Sequence, residues 1–200
     1  GPDRYGYWAY DNTDTDYPAT APLYAWQEIS PAYGGAGTPL VLDSNPNDVV
    51  DPNETQQVAL PFSFTFYGRP YEAILVSDNG WVSFDLRKTY DYYNWSIPGP
   101  YGSLARVCPF WDTLMPGKRD ANGPVGDGIY AWYDEARHRF IVEWSRIGNT
   151  DQPGTPPNPS LVFDDLQTFQ VILYDPAFTA TASGDGVVEF QYKQILNIDR

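Results

Sequence analysis

Apolar and polar residues alternate strictly over positions 60–66, which read LPFSFTF. The leucine and the three phenylalanines fall on one side of an extended backbone, and the proline, serine and threonine fall on the other. A period of two residues is typical of a β-strand with one buried face. This segment is therefore predicted to be a strand whose phenylalanine side packs into a hydrophobic core.

Similar patterns predict further strands, several of them in hairpin pairs. Residues 74–76 and 81–84 flank Asn79-Gly80, a dipeptide that readily adopts the positive φ angles of a tight turn. Residues 128–133 and 139–147 are joined by a short charged turn, Asp134 to His138. The other predicted strands are 166–174 and 186–195, with weaker candidates near 4–10, 23–29 and 105–112.

These segments predict an all-β fold: an antiparallel, jelly-roll-like β-sandwich of about eight to ten strands with long irregular loops. No long stretch repeats with the 3.6-residue period of an amphipathic helix. The 19 prolines and 17 glycines exceed the usual share and suit a chain with many turns. The proline-rich stretch 150–160 is too short for a domain linker, so residues 1–200 are interpreted as a single domain.

The charge balance excludes several classes of partner. The chain has 26 acidic and 12 basic residues, which gives a net charge of −14 at pH 7. A nucleic-acid-binding protein needs a basic stripe to displace phosphate counterions, and the sequence has none. No apolar run approaches the ~20 residues of a membrane-spanning helix. Surplus carboxylate suits calcium binding, high salt or simple solubility.

Five short motifs resemble, in their order, those of extracellular nidogen-like (NIDO) domains. They are a Phe-rich strand ending in Tyr67-Gly68, the Asn79-Gly80 hairpin, the Pro109-Phe110-Trp111-Asp112 turn, a strand containing Trp144, and a Thr168-Phe169-Gln170 strand. The opening, GPDRYGYWAYDNTDTDYP followed by YAWQEISP, looks like a module of secreted multidomain proteins from the Bacteroidetes–Chlorobi–Fibrobacteres group. Such proteins often accompany gingipain-like peptidases and type IX secretion tails. The resemblance implies a secreted or cell-surface β-sandwich without a known reaction.

The resemblance also raises a question about the end of the chain. The bacterial relatives are expected to have a closing strand of the form Tyr-Ala-Thr-Val-Gly-Ile-Glu beyond residue 200, whereas this sequence stops at Asn197-Ile198-Asp199-Arg200. The simpler interpretation is that the sequence is a segment of a larger secreted protein. The alternative is removal of the last strand, which would leave an open sheet edge for another chain to fill.

Residues suited to catalysis are few. The only histidine, His138, is expected to be a solvated turn residue rather than a general base, and Cys108 is expected to be a small buried apolar residue. Asp112 and Glu143 could flank a sugar as a pair of carboxylates. We instead expect Asp112 to cap a turn and Glu143 to lie on the solvent face of its strand, opposite Val142. The chain is therefore not expected to be an enzyme.

The acidic run at residues 11–16 is a candidate calcium site. Asp11, Asn12, Asp14 and Asp16 offer oxygen ligands in a segment without helical or strand periodicity, and repulsion among three carboxylates favours a compensating cation. The spacing is not that of an EF-hand, because the sixth position lacks glycine and the twelfth lacks glutamate. The alternative is a set of Asx-turns in which these side chains bond their own backbone. Any calcium bound here is predicted to be structural.

Residues 89–102, which read TYDYYNWSIPGPYG, bunch aromatic side chains in a region without clear alternation. An exposed aromatic cluster on a loop is typical of a binding surface, and flat rings stack on pyranose sugars. The alternative is that these rings cover the end of the sandwich core. The candidate ligand-binding residues are Tyr90, Tyr92, Tyr93, Trp95 and Tyr101.

Two functions follow from these patterns and the resemblance. The first is a non-catalytic extracellular interaction, adhesion or structural module of a bacterial surface or secreted protein, able to self-assemble through an open sheet edge. The alternative is a calcium-stabilised carbohydrate-binding module that uses the loop aromatics. The expected partners are other protein chains or cell-surface glycans, with homo-oligomers formed by strand pairing, and without nucleic acid or membrane insertion.

Overall fold

The computed structural model describes residues 2–42, 55–87, 96–97, 105–116, 119–120, 123–124, 127–149 and 166–196. Within them the chain forms twelve β-strands and one 3₁₀ turn, Pro31–Tyr33. The strands are β1 (Thr38–Pro39), β2 (Thr55–Phe66), β3 (Arg69–Ser77), β4 (Val82–Ser83), β5 (Arg106–Val107), β6 (Leu114–Met115), β7 (Arg119–Asp120), β8 (Gly123–Pro124), β9 (Ile129–Asp134), β10 (Arg139–Asn149), β11 (Leu166–Tyr174) and β12 (Val188–Gln194). The predicted all-β fold is confirmed.

Two antiparallel sheets form the sandwich. The larger sheet has the strand order β1-β9-β10-β11-β12, with β6 pairing to the end of β10. The smaller sheet has the order β2-β3-β4-β5, and β7 and β8 form a separate ribbon. All pairings among the described strands are antiparallel. The predicted antiparallel β-sandwich is therefore confirmed.

Both predicted hairpins form. β3 and β4 are joined through Asn79-Gly80, where Gly80 has a φ of 74° and Ser77 N donates to Trp81 O over 2.9 Å. β9 and β10 pair around the charged turn, in register from Arg139↔Asp134 to Trp144↔Ile129. In each case the local turn signal and the flanking alternation agree, which is the condition under which a short segment specifies its own structure.

The core lies between the inward faces of the two sheets. The Phe64 and Phe84 rings of the smaller sheet stack at 5.2 Å, and Trp144 of β10 stacks on Phe169 of β11 at 5.0 Å. Trp144 Nε1 also donates to Ser77 O of β3 over 2.9 Å, so one indole joins the two sheets. Burial of each such side chain stabilises the fold by roughly 1.5–3 kcal/mol.

The outward face of the larger sheet is covered rather than solvated. Residues 23–30, which include a weakly predicted strand, cross this face without forming a strand, and Ile29 packs there against Ile141 and Ile172. Glu143 lies beneath this segment with 0% exposure, so the prediction that it faces solvent is wrong. The alternation does place Glu143 on the side opposite Val142, but a segment distant in sequence covers that side.

Four smaller expectations also change. Residues 4–10 form no strand, and the candidate at 105–112 contributes only β5 before the short β6 begins at Leu114. His138 does lie in the β9–β10 turn, with a φ of 51°, but its ring is half-buried and stacks on Phe178 at 3.4 Å. Cys108 is only partly buried.

Candidate functional site

The acidic run predicted to bind calcium forms a hydrogen-bonded surface turn. Asp11 N donates to Asp14 Oδ2 over 2.7 Å, and Asp11 Oδ1 accepts from Thr13 N at 2.7 Å and from Thr13 Oγ1 at 2.6 Å. The Thr13 hydroxyl, followed by its amide, lowers the pKa of Asp11. Asn12 and Asp16 are exposed on the same turn. The bonds are those of the Asx-turn alternative, and the calcium site stays a prediction.

No group of three or more Asp, Glu, His or Cys side chains is arranged to hold a metal ion in the part of the chain that the structure describes. The predicted aromatic site lies outside that part, within the stretches 88–95 and 98–104. Its members are Tyr90, Tyr92, Tyr93, Trp95 and Tyr101. Their role in ligand binding therefore stays a prediction.

A different aromatic surface lies beside the acidic turn. The rings of Trp8 and Tyr10 are nearly parallel, at 12°, with their centroids 6.2 Å apart, and Tyr17 lies 5.6 Å from Tyr10. Trp8 and Tyr17 are each 56% exposed. We call Trp8, Tyr10 and Tyr17 the aromatic strip. Sequence reasoning missed it because residues 4–10 were interpreted as a strand and residues 11–16 were considered only for their carboxylates.

The segment that carries the aromatic strip is anchored to the smaller sheet. Tyr5 and Tyr7 pack on Tyr67 at 5.0 and 4.9 Å, in the turn between β2 and β3. Tyr67 also donates its hydroxyl to Asp3 Oδ2 over 2.5 Å, and this bond raises the pKa of Tyr67 to about 12. The Tyr7 hydroxyl donates to Gly186 O over 3.4 Å. The body of the domain thus holds the aromatic strip in place.

A second feature lies under residues 23–30, which we call the strap. A polar row crosses the outward face of the larger sheet, with one residue from each of the strands β9 to β12. Its members are register partners: Tyr130, Glu143, Gln170 and Gln191. Gln170 Nε2 donates to Glu143 Oε2 over 2.8 Å and to Gln27 O over 2.6 Å. Glu143 Oε2 accepts from Ile29 N over 3.1 Å. The polar row therefore binds the backbone of the strap.

Two carboxyl groups, those of Glu143 in the polar row and Glu28 in the strap, meet where the strap crosses the row. Burial, together with a hydrogen bond shared with Glu28, raises the pKa of Glu143 well above its ordinary value. Burial would also raise the pKa of Glu28, but the hydrogen bond with Glu143 and the Lys193 ammonium, 2.8 Å from Glu28 Oε2, outweigh it and lower that pKa. Such splitting occurs in catalytic acid–base pairs and in structural pairs alike.

The covered position of Glu143 favours a structural role for the pair. Glu143 is fully buried, and the strap lies between it and solvent. Asp112, the other carboxylate considered for a sugar site, accepts from Thr113 N over 2.7 Å, while its own amide donates to Asn79 O. Asp112 therefore lies beside the β3–β4 turn of the smaller sheet, whereas Glu143 lies on the outer face of the larger one.

Comparison with known proteins identifies the family. A family model described as NIDO related matches residues 16–198. The chain belongs to the NIDO-related family. Searches of curated proteins and of solved structures each gave no match. The resemblance to nidogen-like domains is confirmed, and the narrower resemblance to modules of one bacterial group stays a prediction.

Membership of the NIDO-related family suggests an extracellular module. The strap and the polar row lie inside the region that the family model matches, whereas Trp8 and Tyr10 precede it. In this NIDO-related domain the aromatic strip is thus mostly built from residues outside the matched region. No helix among the described residues has the length and apolar character needed to cross a membrane.

Proposed function

We propose that this NIDO-related domain is a non-catalytic extracellular interaction module of a surface or secreted protein, and that it binds a protein partner through the aromatic strip. The observation that carries the proposal is the exposure of Trp8 and Tyr17 on a segment that is anchored to the domain. Large aromatic side chains dominate the binding energy of protein interfaces, and a contiguous exposed patch of them marks an interaction surface.

The surroundings of the aromatic strip support this proposal. Exposed apolar side chains are frequent in the first 42 residues: Tyr5, Trp8, Tyr17, Leu23, Tyr24, Tyr33 and Val41. The anchoring through Tyr7 and Tyr67 fixes the segment before a partner arrives. A surface that is already ordered loses less conformational entropy on binding, which raises affinity.

Self-assembly through a sheet edge is the weaker form of the same proposal. β12 is an edge strand of the larger sheet, since among the described strands it pairs with β11 alone. Its Lys193 and the register shift opposite Thr168–Phe169 are features that discourage edge pairing. The aromatic strip is therefore the better candidate for the binding face.

The test uses arrays of purified extracellular proteins and of glycans. We expect binding to a protein on the first array, weakened at least about tenfold by Trp8→Ala, because an aromatic hot spot contributes more than the ~1.4 kcal/mol that this factor represents. The matched control is Phe178→Ala, which removes a ring that is 64% exposed elsewhere on the surface. Unchanged binding in Trp8→Ala, or silence on both arrays, would contradict the proposal.

The second candidate function is a calcium-stabilised carbohydrate-binding module. One observation favours it: the nearly parallel Trp8 and Tyr10 rings lie directly before the carboxylates of Asp11, Asp14 and Asp16. Rings of this kind stack on sugars, and carboxylates accept hydrogen bonds from hydroxyl groups or bind calcium. The predicted aromatic residues between Tyr90 and Tyr101 would extend such a site.

For this second candidate we expect a melting temperature several degrees higher in millimolar CaCl₂ than in EDTA. A ligand that binds only the folded state adds about 4 kcal/mol when it is present at a thousandfold excess over its Kd. Asp14→Asn should abolish the difference, and MgCl₂ serves as the control for ionic strength. Equal melting temperatures in calcium and EDTA would show that the prediction of a stabilising calcium ion is wrong. Absence of binding on the glycan array would contradict the carbohydrate-binding function.

A further inference from the structure

The strap is attached to the sheet through side chains instead of a backbone ladder. Ala25 N donates to Gln191 Oε1 over 3.3 Å, Gln27 O accepts from Gln170, and Ile29 N donates to Glu143 Oε2 over 3.1 Å. The Ile29 side chain adds an apolar contact. A segment that is held by a few side-chain hydrogen bonds depends on the state of each bonding group, and Glu143 is a group that can change its charge.

Glu143 occupies a position that on balance disfavours its charged form, because burial and the nearby Glu28 carboxyl outweigh the two N–H hydrogen bonds that its Oε2 accepts. It is fully buried, and its Oε1 receives no hydrogen bond from an N–H or O–H donor among the described residues. Glu143 shares a hydrogen bond with the carboxyl group of Glu28, which belongs to the strap. An ionised Glu28 carboxylate can only accept hydrogen bonds. Two carboxyl groups in contact bind each other only when one proton lies between them.

We propose that the strap is a pH-sensitive latch, held closed by the proton that Glu28 and Glu143 share and released when that proton is lost. The cations near the pair belong to Glu28, since Lys193 Nζ and Arg146 Nη2 lie 2.8 and 3.5 Å from Glu28 Oε2. On the β9 side, the Tyr130 hydroxyl donates to Asp127 Oδ1 over 2.5 Å, so another negative charge lies there.

Loss of the proton therefore places a second, buried negative charge beside Glu28. From β11 the neighbour of Glu143 is Gln170, which is neutral. A buried charge without a cation of its own is strongly destabilising. The strap can relieve this repulsion by lifting, because lifting exposes Glu143 to water and carries Glu28 away.

The sign of the pH effect follows from the direction of the shift. Burial raises the pKa of Glu143 to about 8, so the closed strap binds a proton that the open strap gives up near the ordinary glutamate value of about 4.3. The stabilisation of the closed strap is complete below that ordinary value. It declines as the pH rises toward the raised pKa and is lost above it.

The experiment measures hydrogen exchange at the Ile29 amide of the intact chain by NMR. The protection factor is the intrinsic exchange rate at each pH divided by the measured rate. Between about pH 6 and pH 9 we expect the protection factor of Ile29 to fall at least about tenfold. Glu143→Gln keeps a neutral amide of the same shape at this position, and its protection factor should not change. The Phe84 amide, bonded to Ala105 O in the smaller sheet, is the internal reference.

Each outcome decides the question. A constant Ile29 protection factor in the wild type, or the same fall in Glu143→Gln, would overturn the proposal. If Glu143→Gln does not fold, Lys193→Met provides the test, because loss of this cation makes the pair hold its proton more tightly. The midpoint of the Ile29 transition should then move to higher pH, and an unchanged or lowered midpoint would overturn the latch.

Discussion

Gly80→Ala is expected to destabilise the protein by more than about 4 kcal/mol, a size that single substitutions seldom reach. Gly80 has a φ of +74°, and an added Cβ would lie 1.8 Å from Phe110 O and 3.0 Å from Leu114 Cδ1. A backbone oxygen cannot rotate away as a side chain can, so the β3–β4 turn must separate from residues 110–114. That movement would break the Phe110–Gly80 and Asp112–Asn79 backbone hydrogen bonds.

The matched control is Gly184→Ala. Gly184 has a similar φ of +81°, but no atom of the described residues lies within 4 Å of an added Cβ. This variant therefore reports the cost of the left-handed backbone alone, about 1–2 kcal/mol. Urea denaturation followed by tryptophan fluorescence gives both free energies of unfolding. Equal losses in the two variants would show that close approach at Gly80 contributes nothing.

Arg139→Met is expected to cost about 3–5 kcal/mol at neutral pH, because it leaves a buried carboxylate without its main partner. The Arg139 and Asp134 side chains are only 5% and 3% exposed, and Arg139 Nε lies 3.0 Å from Asp134 Oδ2. The control is Arg137→Met. Arg137 contacts the same oxygen at 3.1 Å, but its side chain is 61% exposed. An ion pair whose cation remains in water is screened by solvent and is worth at most about 1 kcal/mol.

The same pair predicts a dependence on pH. Burial alone would raise the pKa of Asp134, but the hydrogen bonds from Arg139 and Arg137 outweigh it and lower the pKa. The stabilisation in the wild type is therefore present above the ordinary value of about 3.9 and is lost as the pH falls below it. In Arg139→Met the buried carboxyl binds a proton more readily, so the gap between variant and wild type should narrow toward pH 4. A constant gap, or equal effects of the two arginines, would contradict this account.

The two candidate sites differ in how far sequence could lead to them. The acidic turn at Asp11 to Asp16 was recognisable because Asx-turns and calcium ligands are both local patterns. The sequence could not distinguish an Asx-turn from a calcium site, because both use the same residues. Trp8 and Tyr10 were visible as aromatic residues two positions apart. Their exposure was not, because it depends on how Tyr7 packs against Tyr67, about 60 residues away in the chain.

The amino-acid sequence by itself determined the long strands β2, β3, β9, β10, β11 and β12 and the antiparallel sandwich, but not most of the short strands. Alternation in β2 and β10 and the Asn79-Gly80 turn are local features, since backbone geometry sets the period of two and the sign of φ. Only the tertiary structure decided which sheet face is covered and by what. Alternation showed that Glu143 opposes Val142, but the bond from Ile29 N spans 114 positions. The strap lies over Glu143 because Ile29 packs on Ile141 and Ile172. No short-range pattern in the sequence encodes that packing.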